Sequence, residues 1–240
     1  MASRALFFSA AAGLAVVCAS HSQGAITLTN GQAALLSDVI GPNNPDRTVN
    51  IGDKTFVFTT YTSAHFPATA VSISAFIAAN PLDGIGFDIT GGFGDLISGD
   101  GTISEFNLLY TVEVNPTFLA QGYRLKDIGL AFNGAASGAG SFARVDESVF
   151  DGTGLNLLAT LHTNVTAGSS STQQDFRDFS PSVYTKFQVN KDVKFFAVAP
   201  GNTASASFVR QTFSQVIIPA PGSAALLGLG GLVAARRRRA

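Results

Sequence analysis

The sequence predicts an all-β chain, a single antiparallel β-sandwich of jelly-roll or immunoglobulin-like type, framed by an N-terminal signal helix and a C-terminal hydrophobic helix. Three observations carry this prediction. Apolar residues recur with a period of two through most of the chain, as half-buried antiparallel strands require. Clusters of Gly, Asn, Asp and Pro interrupt those runs at intervals of roughly 8–12 residues. The composition, with 20 Phe, 25 Gly and no Trp, 46% hydrophobic and 13% charged, suits one substantial core punctuated by turns.

Taken in order, residues 1–24 read as a secretory signal peptide. Arg4 opens the segment, Ala5–Ala19 is its apolar core, and Ser22-Gln23-Gly24 presents small residues where a signal peptidase reads, which places cleavage between Gly24 and Ala25. The single cysteine, Cys18, lies in this segment, so the domain at 25–218 needs neither a disulfide nor a thiolate. Gln32–Val39 is the one stretch expected to form a short helix. Lys54–Tyr61 alternates Phe56, Phe58 and Thr60 against Thr55, Val57 and Thr59. Val71, Ile73, Ala75 and Ile77 share a face, as do Phe106, Leu108, Tyr110, Val112 and Val114. The same reading groups Ile128, Leu130 and Phe132, and then Ala143, Val145 and Val149. Val193–Ala199 and Phe208–Val216 close the domain. Turns are expected at Gly41–Asp46, Gly91–Gly94, Ser98–Gly101 and Asp151–Gly154, with a polar loop at Ala167–Gln174.

Charge narrows the function. The domain holds all 16 acidic residues but only ten of the 15 basic ones, a net charge of −6. A mildly acidic domain without a basic cluster offers no electrostatic footprint for nucleic acid. Motifs for a zinc protease, a nucleophile elbow or a phosphate loop are absent. Ser141 has no local base. His65 and His162 have no His, Cys or carboxylate at ligand spacing along the chain. Two acidic groups flank turns, Asp95, Asp100 and Glu105 at one and Asp146, Glu147 and Asp151 at another. A glycosidase would need two carboxyls about 5–9 Å apart around a cleft, and Asp residues that cap turns are the plainer expectation. No cofactor is implied. Calcium is the one ion that oxygen donors at Asp95, Asp100 and Glu105 suit, although an EF-hand register would put Leu96 and Asn107 at its first and last ligand positions. Glu147 falls on the apolar face of its strand. It reads as a strand-end residue, with the alternative of an inward carboxylate paired with an arginine such as Arg124 or Arg144.

The C-terminal segment, 219–240, has three parts in order: Pro219-Ala220-Pro221, an apolar run at 222–235 read as a transmembrane helix, and Arg236, Arg237, Arg238 and Arg239. Fourteen helical residues span about 21 Å, a minimal membrane helix, and the arginines stay on the cytoplasmic side. This pattern resembles the PEP-CTERM sorting signal of bacterial exported proteins, with Ala220 where the motif commonly has Glu. The resemblance implies transit of the inner membrane, recognition by an exosortase-type processing enzyme, and delivery to the cell surface or extracellular biofilm matrix. Within the domain, Gly52-Asp53-Lys54-Thr55-Phe56, Gly84-Ile85-Gly86-Phe87, Val145–Val149, Asn190–Val193 and Gln211–Gln215 resemble, in order, a domain type that recurs among such exported proteins; this implies an architecture and no activity.

The expectation is therefore a non-enzymatic exported protein of structural or adhesive role. The alternative is a carbohydrate-binding module, with or without calcium, that recognises matrix polysaccharide. An exposed cluster of Tyr or Phe beside Asp and Asn on one face would favour the alternative.

Overall fold

The strictest alternation in the sequence becomes the centre of the molecule. In the computed structural model, which describes residues 24–218 apart from 81 and 83, strand β7 (Ser104–Val114) buries every second residue and turns Glu105, Asn107, Leu109, Thr111 and Glu113 outward. The expected signal helix and the C-terminal segment with its hydrophobic helix lie outside the described residues.

Around β7 a seven-stranded sheet is ordered β1 (Ile26–Leu28), β3 (Thr48–Ile51), β4 (Lys54–Ser63), β7, β14 (Lys186–Phe196), β11 (Phe142–Asp151) and β12 (Leu157–Thr166). Its neighbours are antiparallel except β1 and β3, which run parallel. The second sheet is ordered β13 (Gln174–Asp178), β9 (Asp127–Phe132), β15 (Thr203–Phe213), β6 (Ile85–Gly94), β5 (Ser72–Ile77) and β2 (Ala33–Leu35), with β10 (Ala135–Ser137) also paired to β15. A short ribbon pairs β16 (Gln215–Ile217) with β8 (Tyr123–Leu125).

Phenylalanine joins the two sheets. At one end Phe56 of β4 meets Phe87 of β6 edge-on, with ring centres 5.2 Å apart, and Tyr110 of β7 meets the same ring at 5.2 Å. At the other end Phe93 of β6 lies 5.1 Å from Phe106 of β7, and Phe66 packs against both. Each such ring buries about 150–250 Å² and prefers edge or offset contact. This explains how a core without Trp is filled.

Four expectations need correction. Gly91–Gly94 is no turn; it continues β6. The glycines are there for clearance, since a Cβ on Gly91 would stand 2.9 Å from the Phe93 ring and one on Gly94 3.0 Å from the Ala204 carbonyl. Thr60 does not share a face with Phe58. A bulge between Phe58 and Thr60 shifts the register, so Tyr61 faces the core side opposite Leu108 and Thr60 is exposed. Arg47, at φ 51°, serves that bulge: its carbonyl accepts the Phe58 N–H and its guanidinium donates to the Thr59 carbonyl at 2.5 Å. Gln32–Val39 divides into β2 and a single helical turn, α1 (Leu36–Val39), because Ala33–Leu35 pair with Ser72–Ser74.

The fourth correction is Glu147. It lies in the middle of β11, fully buried, and its partner is Lys191 opposite it on β14. The inward alternative holds, with a lysine in place of an arginine. Lys191 Nζ also donates to Gln211 Oε1 of the second sheet at 2.8 Å. A second buried lysine, Lys54, donates to Asp53 Oδ1 at 3.0 Å and to Gln215 Oε1 at 2.6 Å.

The sandwich has two distinct poles. The last described residue, Ile218, donates its N–H to the Gly122 carbonyl at the pole where β7 ends. The opposite pole collects the segments 64–67, 95–103, 138–141 and 197–202, which hydrogen-bond to one another or to the start of β7.

Candidate functional site: the outer face of the first sheet

Strand register places residues far apart in sequence into rows on this face. On β11 the inward residues are Ala143, Val145, Glu147 and Val149, so Phe142, Arg144, Asp146 and Ser148 point outward. Across the sheet one row reads His162, Asp146, Asp192, Asn107, Thr62. The row beside it, nearer the Gly138–Ser141 pole, reads Asn164, Arg144, Lys194, Glu105. Next comes the aromatic pair Phe142 and Phe196, with ring centres 5.7 Å apart.

The charged groups satisfy one another sideways. His162 Nδ1 lies 2.7 Å from Asp146 Oδ1, and Arg144 Nε lies 2.9 Å from Asp146 Oδ2. Lys194 bonds Asp192. The Arg144 guanidinium also lies 5.4 Å from the Phe142 ring centre. Asp146 is 41% exposed and the His162 ring 52%, so the row remains open to a ligand. No carboxylate stands at ligand spacing from His162 along the chain, but the β11–β12 hairpin brings Asp146, 16 residues away in sequence, beside it.

The rows run into an open depression of about 750 Å³ whose wall includes Tyr61, Thr62, His65, Glu105, Asn107 and Asp192. Two hydrogen bonds fix its rim. Tyr61 donates its hydroxyl to the Phe66 carbonyl at 2.5 Å, and the Glu105 N–H donates to His65 Nδ1 at 3.3 Å. Burial pushes the Tyr61 phenol up to about 12, so it stays a neutral hydroxyl.

The remaining predicted residues lie elsewhere. Asp95 spends both oxygens inside the fold: Oδ2 accepts the Ala197 N–H at 2.7 Å and Oδ1 the Ser104 hydroxyl at 3.1 Å. Asp100 accepts both the N–H and the hydroxyl of Thr102, and those bonds hold its carboxyl below the usual carboxylate range. Glu105 belongs to the depression. The three do not converge, and among the described residues no group of three His, Cys, Asp or Glu could hold a metal ion. Asp151 caps its turn through Thr153 and Asn156, which bring its carboxyl down to about 2. Asp146 and Glu147 point to opposite faces, so no acid pair forms there. Ser141 is buried, and its hydroxyl accepts the Val198 N–H at 3.1 Å. Gly24 and Ala25 are exposed ahead of β1. Pro219, Ala220, Pro221 and Arg236–Arg239 lie outside the described residues, among which no helix is long and apolar enough to cross a membrane.

No family model and no curated protein matches this chain. Among solved structures it is similar to the module TmCBM61 in complex with beta-1,4-galactotriose, with a TM-score of 0.32 and 12% identity over 63% of this chain and 86% of that one. It is also similar to TmCBM27, a carbohydrate-binding module studied for mannan recognition, with a TM-score of 0.29 and 10% identity over 67% of this chain and 89% of that one. A third is the enzymatically active domain of a bacteriophage CBA120 tailspike protein, with a TM-score of 0.28 and 14% identity over 70% of this chain but 20% of that one. TM-scores this low leave the chemistry to be read from the face itself.

Proposed function

We propose that this chain is a non-enzymatic, exported β-sandwich that binds polysaccharide through the outer face of its first sheet. One observation carries the reading: an aromatic pair, Phe142 and Phe196, stands beside open rows of Asp146, Asp192, Asn107, Arg144 and His162 that lead into a depression. A sugar ring has an apolar C–H face and a rim of hydroxyls. Aromatic rings suit the first, and carboxylates, amides and a guanidinium suit the second, since each can take or give paired hydrogen bonds. The balance of Asp and Glu against Arg and Lys on this face favours a neutral sugar over a strongly anionic one. Paired side chains that already share hydrogen bonds are also pre-oriented for a ligand.

Affinity gel electrophoresis against a panel of neutral and acidic polysaccharides tests this. Retardation by a neutral polymer, lost on Asn107→Ala combined with Asp192→Ala, is the expected result. No retardation by any polymer, or equal retardation of the double variant, removes this reading.

Delivery belongs to the same proposal. The segments 1–24 and 219–240 support export by signal peptidase and sorting to the cell surface by an exosortase-type enzyme, with the membrane helix at 222–235 as a transient anchor. Intact mass of protein recovered outside cells, fitting a chain that starts near Ala25 and ends near Pro219, is the expected result. A membrane-bound chain that retains Arg236–Arg239 overturns it.

A further inference from the structure

The interior holds chemistry that a binding face does not use. Lys191, Glu147 and Gln211 meet between the sheets, and all three side chains are buried. Lys191 Nζ bonds the Glu147 carboxylate and donates to Gln211 Oε1 at 2.8 Å. Gln211 Nε2 donates in turn to the Gly129 carbonyl at 3.0 Å, which locks the amide plane. Glu147 Oε1 finds no hydrogen-bond partner among the described residues. An amine, an amide and a carboxyl group are thus held together away from bulk solvent. A carbonyl bond is about 1.23 Å, so the amine stands no more than about 4 Å from the amide carbon of Gln211.

We propose that Lys191 and Gln211 join in an intramolecular isopeptide bond, with Glu147 as the proton-transfer group, which ties the first sheet to the second. The neutral Lys191 amine adds its lone pair to Gln211 Cδ, and the carbonyl π pair moves onto Oε1. Glu147 takes a proton from Nζ and delivers one to Nε2. The Cδ–Nε2 bond then breaks, ammonia leaves, and the carbonyl re-forms. One C–N bond forms as one breaks, nothing is oxidised or reduced, and no co-reactant is consumed.

The surroundings favour each step. Burial is the largest influence on both ionisable partners: it lowers the Lys191 ammonium from its ordinary 10.5 and raises the Glu147 carboxyl from its ordinary 4.5, against the attraction between them. Both are moved toward the neutral forms that the reaction needs. Exclusion of water removes hydrolysis as a competitor, and fixed positions replace a bimolecular encounter. The flanking strands restrict relative motion further, because Glu147 and Lys191 are direct cross-strand partners.

The second buried lysine supplies an internal control. Lys54 has the same companions, an acid and a glutamine, in Asp53 and Gln215. It is also attracted by a second carboxylate, Asp127, besides Asp53. Burial lowers the Lys54 ammonium too, but a second carboxylate opposes its neutralisation, whereas Glu147 is the one carboxylate that acts on Lys191. The bond is therefore assigned to Lys191 and Gln211.

Peptide mapping by mass spectrometry, on the full chain purified folded and then denatured and digested, tests this. The expected result is a branched peptide joining Lys191 to Gln211, about 17 Da lighter than the sum of its two arms, the mass of one ammonia. Glu147→Gln, which keeps the shape but cannot relay the proton, is expected to yield the two arms unjoined. Recovery of both arms unmodified from the folded wild-type chain overturns the proposal, and this outcome decides the matter even where the variant does not fold. A joined peptide in folded Glu147→Gln overturns the role given to Glu147.

Discussion

Asp146 and Glu147 are consecutive residues of one strand; Asp146 lies between His162 of β12 and Asp192 of β14, and Glu147 between Leu161 and Lys191. Asp146 faces solvent beside Arg144 and His162, while Glu147 faces the core beside Lys191. One step along the backbone turns the same kind of interaction from an adjustable surface contact into a fixed interior one. Outside, water screens the ions and a ligand can replace a partner at small cost. Inside, no partner can be lost without leaving a buried polar group unsatisfied. Recognition and cohesion are thus assigned to opposite faces of the same strand.

The largest expected effect comes from breaking the inner half. Glu147→Ala leaves Lys191 buried without its carboxylate and is expected to cost about 3–5 kcal/mol in urea unfolding. A loss below about 1 kcal/mol would mean that the inner pair is no more binding than the outer one. Tyr110 sharpens the same contrast, because its hydroxyl is buried with no hydrogen-bond partner among the described residues. Tyr110→Phe is expected to be neutral or to gain up to about 1 kcal/mol. Burial raises the Tyr110 phenol well above its ordinary 10.0. The folded state therefore keeps a proton that the unfolded state loses, and stability falls as pH rises past 10. The phenylalanine variant should show a shallower alkaline decline in parallel denaturation curves, and equal declines would contradict this.

The outer half should respond in the opposite sense. Asp146→Ala is expected to change stability by no more than about 1 kcal/mol while weakening retardation by polysaccharide at least about tenfold, roughly 1.4 kcal/mol of binding. A large stability loss with unchanged retardation would reverse the assignment of roles. The smallest effect belongs to Asp151, exposed at the hairpin tip. Its carboxyl is brought down to about 2, first by Thr153 and then by Asn156. The contribution is complete above the unfolded value of 3.8 and fades as pH falls through about 2. Asp151→Ala should lower Tm slightly at neutral pH, and the difference should close near pH 2. A gap that persists there would point to a cause other than the charge.

Strands with one dry face were legible in the sequence, because apolar alternation is the direct imprint of such a face. The groups read at Phe106–Val114, Val71–Ile77 and Ile128–Phe132 lie in the core, Ile77 being partly buried there. Where the imprint is interrupted, the reading failed. In β14 the inward lysine Lys191 interrupts the apolar alternation of Phe187, Val189, Val193 and Phe195, so the periodicity marks only the strand's second half. β12 lies at a sheet edge and buries only Leu161 and Thr163. The bulge after Phe58 moved the following residues to the other face, a one-residue event that composition does not announce. The candidate site was the least legible part. Its rows combine residues from β4, β7, β14, β11 and β12, and periodicity specifies faces without naming neighbours. Even so, the misplaced Glu147 in an apolar pattern was a usable signal, since a carboxylate on a dry face requires a buried partner.

The ribbon at the end of the described chain has a mechanical consequence. A pull applied at Ile218 is first met by the three paired positions of β16 and β8. It next reaches Gln215, whose side-chain oxygen is held by Lys54 at the start of β4, 161 residues away in sequence. Tension entering at this pole therefore crosses directly from the last strand to one of the earliest, without travelling through the chain between them. The far pole, with the depression at Tyr61–His65, lies outside that line of force.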